Sequence, residues 1–350
     1  MTIVCVVGCS DFPAPEYETE RVQIALTFEG KLCAGTAATI EHWAASTSTL
    51  LAIDPLIDDP VLLVWGDDAV SDYCNEGADG CYLHSSRVIA ARYPAIEHEL
   101  THATTQQSGG ARRNALIEEG IAEGMTAGTL SRGDADPRPS ALIGLTEAEF
   151  EALGARNVSG HFFRYLSETY GFKVLGELRL EVEGPVSRDE ADAAFINTLG
   201  VSLAEAEQAW LADAPSTYTR LPSTTPAADA VLTDSVTFSF QLSCDSPATE
   251  GPLIGVSSSV ADPTPGMRSA RTLDVPVPHI VQIVATGTPS SGRGLVFRSV
   301  ACWDGSTRNE IHEVPLGETN VVELGACRWE VALWTADYSS LESEVTIAAM

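Results

Sequence analysis

Residues 94–107 read PAIEHELTHATTQQ, a stretch that opens on a proline and carries His-Glu-x-x-His at 98–102. Proline suits the first turn of a helix, because the N–H it lacks would be unpaired there anyway. Gly109 and Gly110 then stop the pattern, so the spacing predicts a helix from Pro94 to about Gln107. On a helix, positions i and i+4 lie one above the other on the same face. His98 and His102 so placed can both reach one Zn2+ at about 2.0–2.1 Å. Glu99 points about 100° round the axis from His98, close enough to act on water at that ion. Zinc lowers the pKa of such water to about 7, and Glu99 can take its proton as it attacks a carbonyl carbon.

Working outward, a second helix is predicted from roughly Arg113 to Leu130. Its LIEEGIAEG segment offers Glu118, Glu119 and Glu123. A catalytic zinc keeps three protein ligands and one open position, so one of these carboxylates can complete the set. Glu123 lies one turn beyond Glu119 on the same face. It can orient a ligand histidine by accepting its second ring N–H.

Before the motif, Val22, Ile24, Leu26 and Phe28 alternate as a half-buried strand. A helix follows from about Thr36 to Leu51, then a more central strand at Pro60–Trp65. Cys81 to Ala91 reads as a hairpin turning near Ser85 and Ser86. After the motif come three capping-box starts: Thr146 with Glu149, Ser187 with Glu190, and Ser202 with Glu205. Gly171 closes a helix over Val158–Tyr170, and Gly200 ends another. From about residue 214, APSTYTRLPSTTPAADA is rich in Pro, Ser and Thr and reads as a linker. Beyond it the period changes to two. Val236, Phe238, Phe240 and Leu242 alternate, as do Trp329, Val331 and Leu333, with further strand-like runs in HIVQIVATG, LVFRSVACW and EVTIAA. The expected fold class is α+β: a compact zincin-like domain of helices and a small sheet (20–213), a linker (214–227) and an all-β sandwich (228–350).

The 350 residues carry 49 acidic against 20 basic side chains, a formal charge of −29. Such a surface repels phosphate and argues against nucleic acid as a partner. No run of about 18 apolar residues exists, so no transmembrane helix is expected. The start, MTIVCVVGC, resembles a bacterial lipobox, with Cys9 as the lipidated residue; 1–19 is read as a truncated lipoprotein-like signal and tether. An extracytoplasmic protein is the expectation. Six further cysteines, Cys33, Cys74, Cys81, Cys244, Cys302 and Cys327, then suggest disulfides. They fall three in each half. Either one bridge joins the halves, or each half keeps a free thiol. No Cys-x₂-Cys spacing marks a structural zinc site. His42, His84, His279 and His312 have no ligand-spaced partner.

His-Glu-x-x-His followed by a Glu-Gly-x-Ala helix resembles the gluzincin metallopeptidases, which include thermolysin and the zinc aminopeptidases. The ligand gap, SGHFFRYLSETYG and AAFINTLGVSLAEAEQAW are similar to the compact bacterial peptidase MA-like branch, over about residues 90–212. The resemblance implies that the third ligand is the Glu immediately before the Gly, Glu119, with Glu118 facing solvent or packed at the helix edge. It also implies the orienting role for Glu123. One departure stands out. Related enzymes often place a Tyr just before the helix that begins here near Gly160, to stabilise the tetrahedral oxyanion. This sequence has Arg156 and Asn157 there, leaving His161, Tyr165 or Tyr170 as substitutes, with His161 the nearest.

The resulting expectation is zinc-dependent hydrolysis of a peptide or protein by His98, His102 and Glu119 with Glu99 as base. The strand near Tyr82 to Ala90 is expected to pair with an extended substrate. The rival expectation is a weak or inactive zincin that binds a surface partner through its sandwich.

Overall fold

The structure is a computed structural model, described over residues 12–108, 114–126, 128–133, 137–219, 221, 228–252, 266–287, 293–302, 310–335 and 340–350. The fold is mixed α+β. Cys9 and the lipobox lie outside the described residues.

The first sheet is built from β1 (Tyr17–Glu18), β2 (Val22–Leu26), β3 (Val61–Trp65), β4 (Gly80–Leu83) and β5 (Val88–Ala91), with α1 (Ala34–Leu51) and α2 (Asp67–Tyr73) between them. Its order is β1-β2-β3-β5-β4. β2, β3 and β5 run parallel, and β1 and β4 are antiparallel edges. Apolar residues occupy both faces of the parallel strands, as covered strands require: Val22, Ile24, Val61, Leu63, Trp65 and Ile89 are buried on one face, and Val64, Val88 and Ala90 on the other. The expected hairpin forms, but its second strand is interior. Only β4, with Tyr82 and Leu83, lies at the edge.

A single 3₁₀ turn at Tyr93–Ala95 leads from β5 into α3 (Ile96–Gln107). The helices α4 (Ala115–Thr126), α5 (Pro139–Leu142), α6 (Glu147–Ala152), α7 (Arg156–Tyr170), α8 (Phe172–Glu181), α9 (Arg188–Leu199) and α10 (Leu203–Asp213) follow, with β6 (Thr129–Ser131) after α4. All three capping boxes form with both hydrogen bonds, and Gly200 takes the left-handed conformation at the end of α9. α4 stops earlier than expected. Leu130 instead enters β6 and pairs with Tyr218 of β7 (Thr217–Thr219). Residues 217–219, expected in the linker, are thus a strand whose Tyr218 is buried; 222–227 lie outside the described residues. α4 and α7 pack closely because their contact is made at glycine. A Cβ on Gly120 would lie 2.3 Å from Phe163 Cδ2, and one on Gly160 would lie 2.6 Å from Glu123 Cβ.

The remaining strands are β8 (Ala230–Val231), β9 (Ser235–Leu242), β10 (Met267–Asp274), β11 (His279–Ala285), β12 (Arg293–Cys302), β13 (Ile311–Val314), β14 (Thr319–Leu324), β15 (Cys327–Thr335) and β16 (Leu341–Ala349). They form two sheets, β13-β12-β15-β10-β8 and β14-β11-β16-β9. Inward residues of both, among them Phe238, Phe240, Val281, Phe297, Trp329 and Ile347, share one core, as in a sandwich.

Three disulfides answer the question the cysteine count left open. Cys33–Cys244 joins the halves, while Cys74–Cys81 and Cys302–Cys327 stay local. Such bridges persist in an oxidising, extracytoplasmic setting. No described helix is long and apolar enough to cross a membrane. The first bridge is part of a larger seam. α1 has no side-chain cap, and its N-terminal N–H groups need acceptors. The amides of Cys33, Ala34 and Gly35 donate to the carbonyls of Gly251, Cys244 and Thr249 at 2.9, 2.9 and 3.0 Å. Beside them Glu250 accepts from Tyr93 Oη at 2.6 Å, Arg268 Nε at 2.9 Å and Thr39 Oγ1 at 3.0 Å. Burial would raise the Glu250 carboxyl, but Arg268 and these hydrogen bonds hold it below the usual range. Tyr93 stands at the entry to α3, so the segment around 244–251 supports the start of the helix that carries the motif.

Candidate metal centre

α3 presents His98 and His102 one turn apart, and α4 brings Glu119 opposite them. His98 Nε2 and His102 Nε2 are 3.0 Å apart. Glu119 Oε2 is 3.5 Å from His98 Nε2, and Oε1 is 3.3 Å from His102 Nε2. Two atoms each about 2.0–2.1 Å from one tetrahedral ion lie about 3.3–3.4 Å apart. The separations bracket that value, the two histidines facing different oxygens of Glu119, so the donor set fits a single ion held by two nitrogens and the Glu119 carboxylate. Glu119 Oε2 is moreover a buried acceptor that makes no hydrogen bond, a group that ordinarily has a partner. His98, His102 and Glu119 are the one set among the described residues that could hold a metal ion.

The electrostatics of the trio follow from proximity. For His102, burial opposes protonation, but the Glu119 carboxylate outweighs it and lifts the imidazole to about 9. Burial likewise opposes ionisation of Glu119, yet His102 and His98 hold it well below the usual carboxylate range. The pair therefore attracts a proton where it would otherwise attract a cation. Glu99 is buried, and that burial pushes its carboxyl up, with His98 and His102 pulling the other way. Glu123 Oε1 lies 3.6 Å from His98 Nδ1, on the side where an orienting acceptor belongs, though beyond direct hydrogen-bond length.

Edge strand β4 passes directly over Glu99. A Cβ on Gly80 would fall 3.0 Å from Glu99 Cγ and 3.0 Å from Ala95 Cβ, so only glycine fits there without displacing a neighbour.

One expectation needs correction, for His161, and of the two alternatives for Glu118 the solvent-facing one does not hold. Glu118 does not face solvent: it is buried, accepting from Thr105 Oγ1 at 3.1 Å and pairing with Arg179 Nη1 at 3.4 Å, and so ties α4 to α3 and α8. His161 is fully buried on α7. Its Nδ1 accepts from Trp210 Nε1 at 2.8 Å and its ring lies 4.7 Å from that of Tyr218. Burial pushes it down to about 4, so it is a neutral core histidine away from the trio. Tyr165 and Tyr170 also pack on the helical core.

Sequence reasoning had set Arg156 aside as the residue standing where a Tyr was expected. The structure brings it to the trio: Arg156 Nε lies 3.4 Å from Glu119 Oε2, and it binds Glu151 Oε1 at 2.9 Å and Oε2 at 3.1 Å.

No protein-family model matches the chain, and no curated protein does. Among solved structures, the enzymatically active domain of bacteriophage CBA120 tailspike protein 4 is 15% identical over 32% of this chain and 18% of its own, with a TM-score of 0.17. A beta-glucosidase from Paenibacillus barengoltzii is 9% identical over 91% of this chain and 40% of its own, with a TM-score of 0.19. Scores this low are not agreements of fold, and neither likeness bears on the site.

Proposed function

We propose that the chain is an extracytoplasmic zinc-dependent peptide hydrolase of gluzincin type, held to a membrane through Cys9 or secreted. The observation that carries this reading is the trio His98, His102 and Glu119 at tetrahedral spacing with a buried carboxylate, Glu99, against it. His98, His102 and Glu119 would hold the ion, whose Lewis acidity would ease deprotonation of water and polarise a carbonyl. Glu99 accepts the proton of the attacking water and returns it to the departing amine. Burial raises its carboxyl above the ordinary carboxylate range, which strengthens it as a base. Glu123 steadies His98 from its Nδ1 side.

The substrate lies along β4. Among the described residues its outer edge has no neighbouring strand, and it offers N–H and C=O groups to an extended peptide. Gly80 keeps this strand in contact with Glu99, so a peptide paired there carries its carbonyls past the base. Glu99→Gln tests the reading. The variant should retain metal while losing about 10²–10⁴ in cleavage rate, followed by mass spectrometry on a casein peptide digest. Unchanged cleavage would remove Glu99 from its role.

A further inference from the structure

Among Arg156, His161, Tyr165 and Tyr170, the residues near the expected position of an oxyanion donor, Arg156 alone touches the trio. Its side chain is 45% exposed, against 11% for Glu119, so it spans from the buried ligand to solvent. Glu151 fixes the guanidinium through Nε, with both carboxylate oxygens within 3.1 Å. Arginine presents five N–H donors in a rigid fork, and Glu151 and Glu119 both face its Nε.

We propose that Arg156 is the charge-receiving residue of the site, donating to the carbonyl oxygen of the scissile bond as that oxygen becomes negative. This deepens the hydrolase reading and rests on it. In the step concerned, the water oxygen bonds to the carbonyl carbon, the carbonyl π electrons move onto its oxygen, and the water proton goes to Glu99. Collapse restores the C=O, breaks the C–N bond, and leaves the proton on the amine. Arg156 stabilises the oxygen while it holds the extra electron pair.

The electrostatics favour this over a role in holding Glu119. Once Glu119 gives its charge to a divalent ion, its attraction for the guanidinium falls, and ion and guanidinium repel. An anion seated between them relieves that repulsion. Cation and anion should therefore bind cooperatively, each raising the affinity of the other by the same factor.

The test loads the full chain with Co2+, whose visible spectrum reports on its ligands, and titrates methylphosphonate, a tetrahedral anion. Chelator competition gives Co2+ affinity with and without it. Wild type should bind both cooperatively. Arg156→Ala should hold Co2+ at least as tightly, bind methylphosphonate about 10–100-fold more weakly and lose the coupling, with Arg156→Lys between. On peptides, Arg156→Ala should lose about 10²–10³ in kcat with KM little moved. Equal methylphosphonate affinity in wild type and Arg156→Ala overturns the proposal. So does loss of Co2+ in Arg156→Ala but not Arg156→Lys, which would make Arg156 a positioning residue for Glu119. Wild type that takes up no Co2+ removes the metal reading and Arg156 with it. Wild type that holds Co2+ but cleaves nothing sinks the hydrolase reading, and this proposal with it, whatever methylphosphonate does.

Discussion

Replacing Gly120 by alanine sets two effects of opposite sign against each other. Alanine is the better helix former by about 1 kcal/mol, so an α4 free of close neighbours would be stabilised. In this fold the added Cβ would lie 2.3 Å from Phe163 Cδ2, 2.8 Å from its Cγ and 2.7 Å from Ser159 Oγ. Carbon atoms prefer about 3.5–4.0 Å, so the ring must retreat by roughly 1 Å or more. It has nowhere to go: Phe163 is fully buried and edge-on to Phe162 at 5.6 Å. Ser159 is held by its 2.7 Å hydrogen bond to the Leu116 carbonyl. Overpacking costs about 1–3 kcal/mol, and an overlap this large belongs at the upper end. Weakening the Ser159 hydrogen bond adds about 1 kcal/mol. After the helix gain, the net loss is about 2–3 kcal/mol. Urea unfolding of the metal-free protein should show a lower midpoint at unchanged slope. Chelator competition should show weaker metal binding, because Glu119 is carried on the displaced turn. A raised midpoint would refute the argument that glycine contacts set the distance between α4 and α7.

Three further predictions concern the site and its supports. Below about pH 6.5, protonated His102 beside Glu119 stabilises the metal-free fold, and that contribution, on the order of 2–3 kcal/mol, disappears as pH rises through about 9. Metal competes with the same proton, so apparent metal affinity should climb about tenfold per pH unit from 7 toward 9 and then level off; a flat profile would contradict the His102–Glu119 coupling. Gly80→Val should push Glu99 from its place, lowering cleavage at least about tenfold with metal retained; full activity would mean β4 does not set the base. Removing the Cys33–Cys244 bridge, which closes 211 residues, by Cys33→Ser with Cys244→Ser should cost about 3–5 kcal/mol in denaturant unfolding; no loss would show that the seam at α1 holds without it.

What the sequence made legible was local. The His98–His102 pair, the capping boxes at Thr146, Ser187 and Ser202, and the alternation around Phe238 and Trp329 each depend on residues a few positions apart, and each formed as expected. What it hid depends on distant partners. For Glu118 the sequence leaves solvent or the helix edge open, and its buried pairing with Arg179, 61 residues on, is seen only in the fold. His161 looked available because its neighbour Trp210 lies in another helix. The seam between α1 and residues 244–251 is made of backbone carbonyls, which leave no side-chain pattern to read. Three helices, α2, α5 and α8, also escaped notice: α2 is only seven residues long, α5 only four, and α8 starts directly after Gly171, which reads as a stop. Arg156 carried a usable signal, a cation where a donor was needed, but only the fold sets its distance from Glu119.

The most direct test of the central claim is the metal content of the purified chain, measured beside His98→Ala with His102→Ala. The account predicts about one zinc per wild-type chain and none in the double variant. A wild-type chain that holds no zinc under metal-replete, non-chelating conditions, or a double variant that keeps it, would contradict the site assigned to His98, His102 and Glu119.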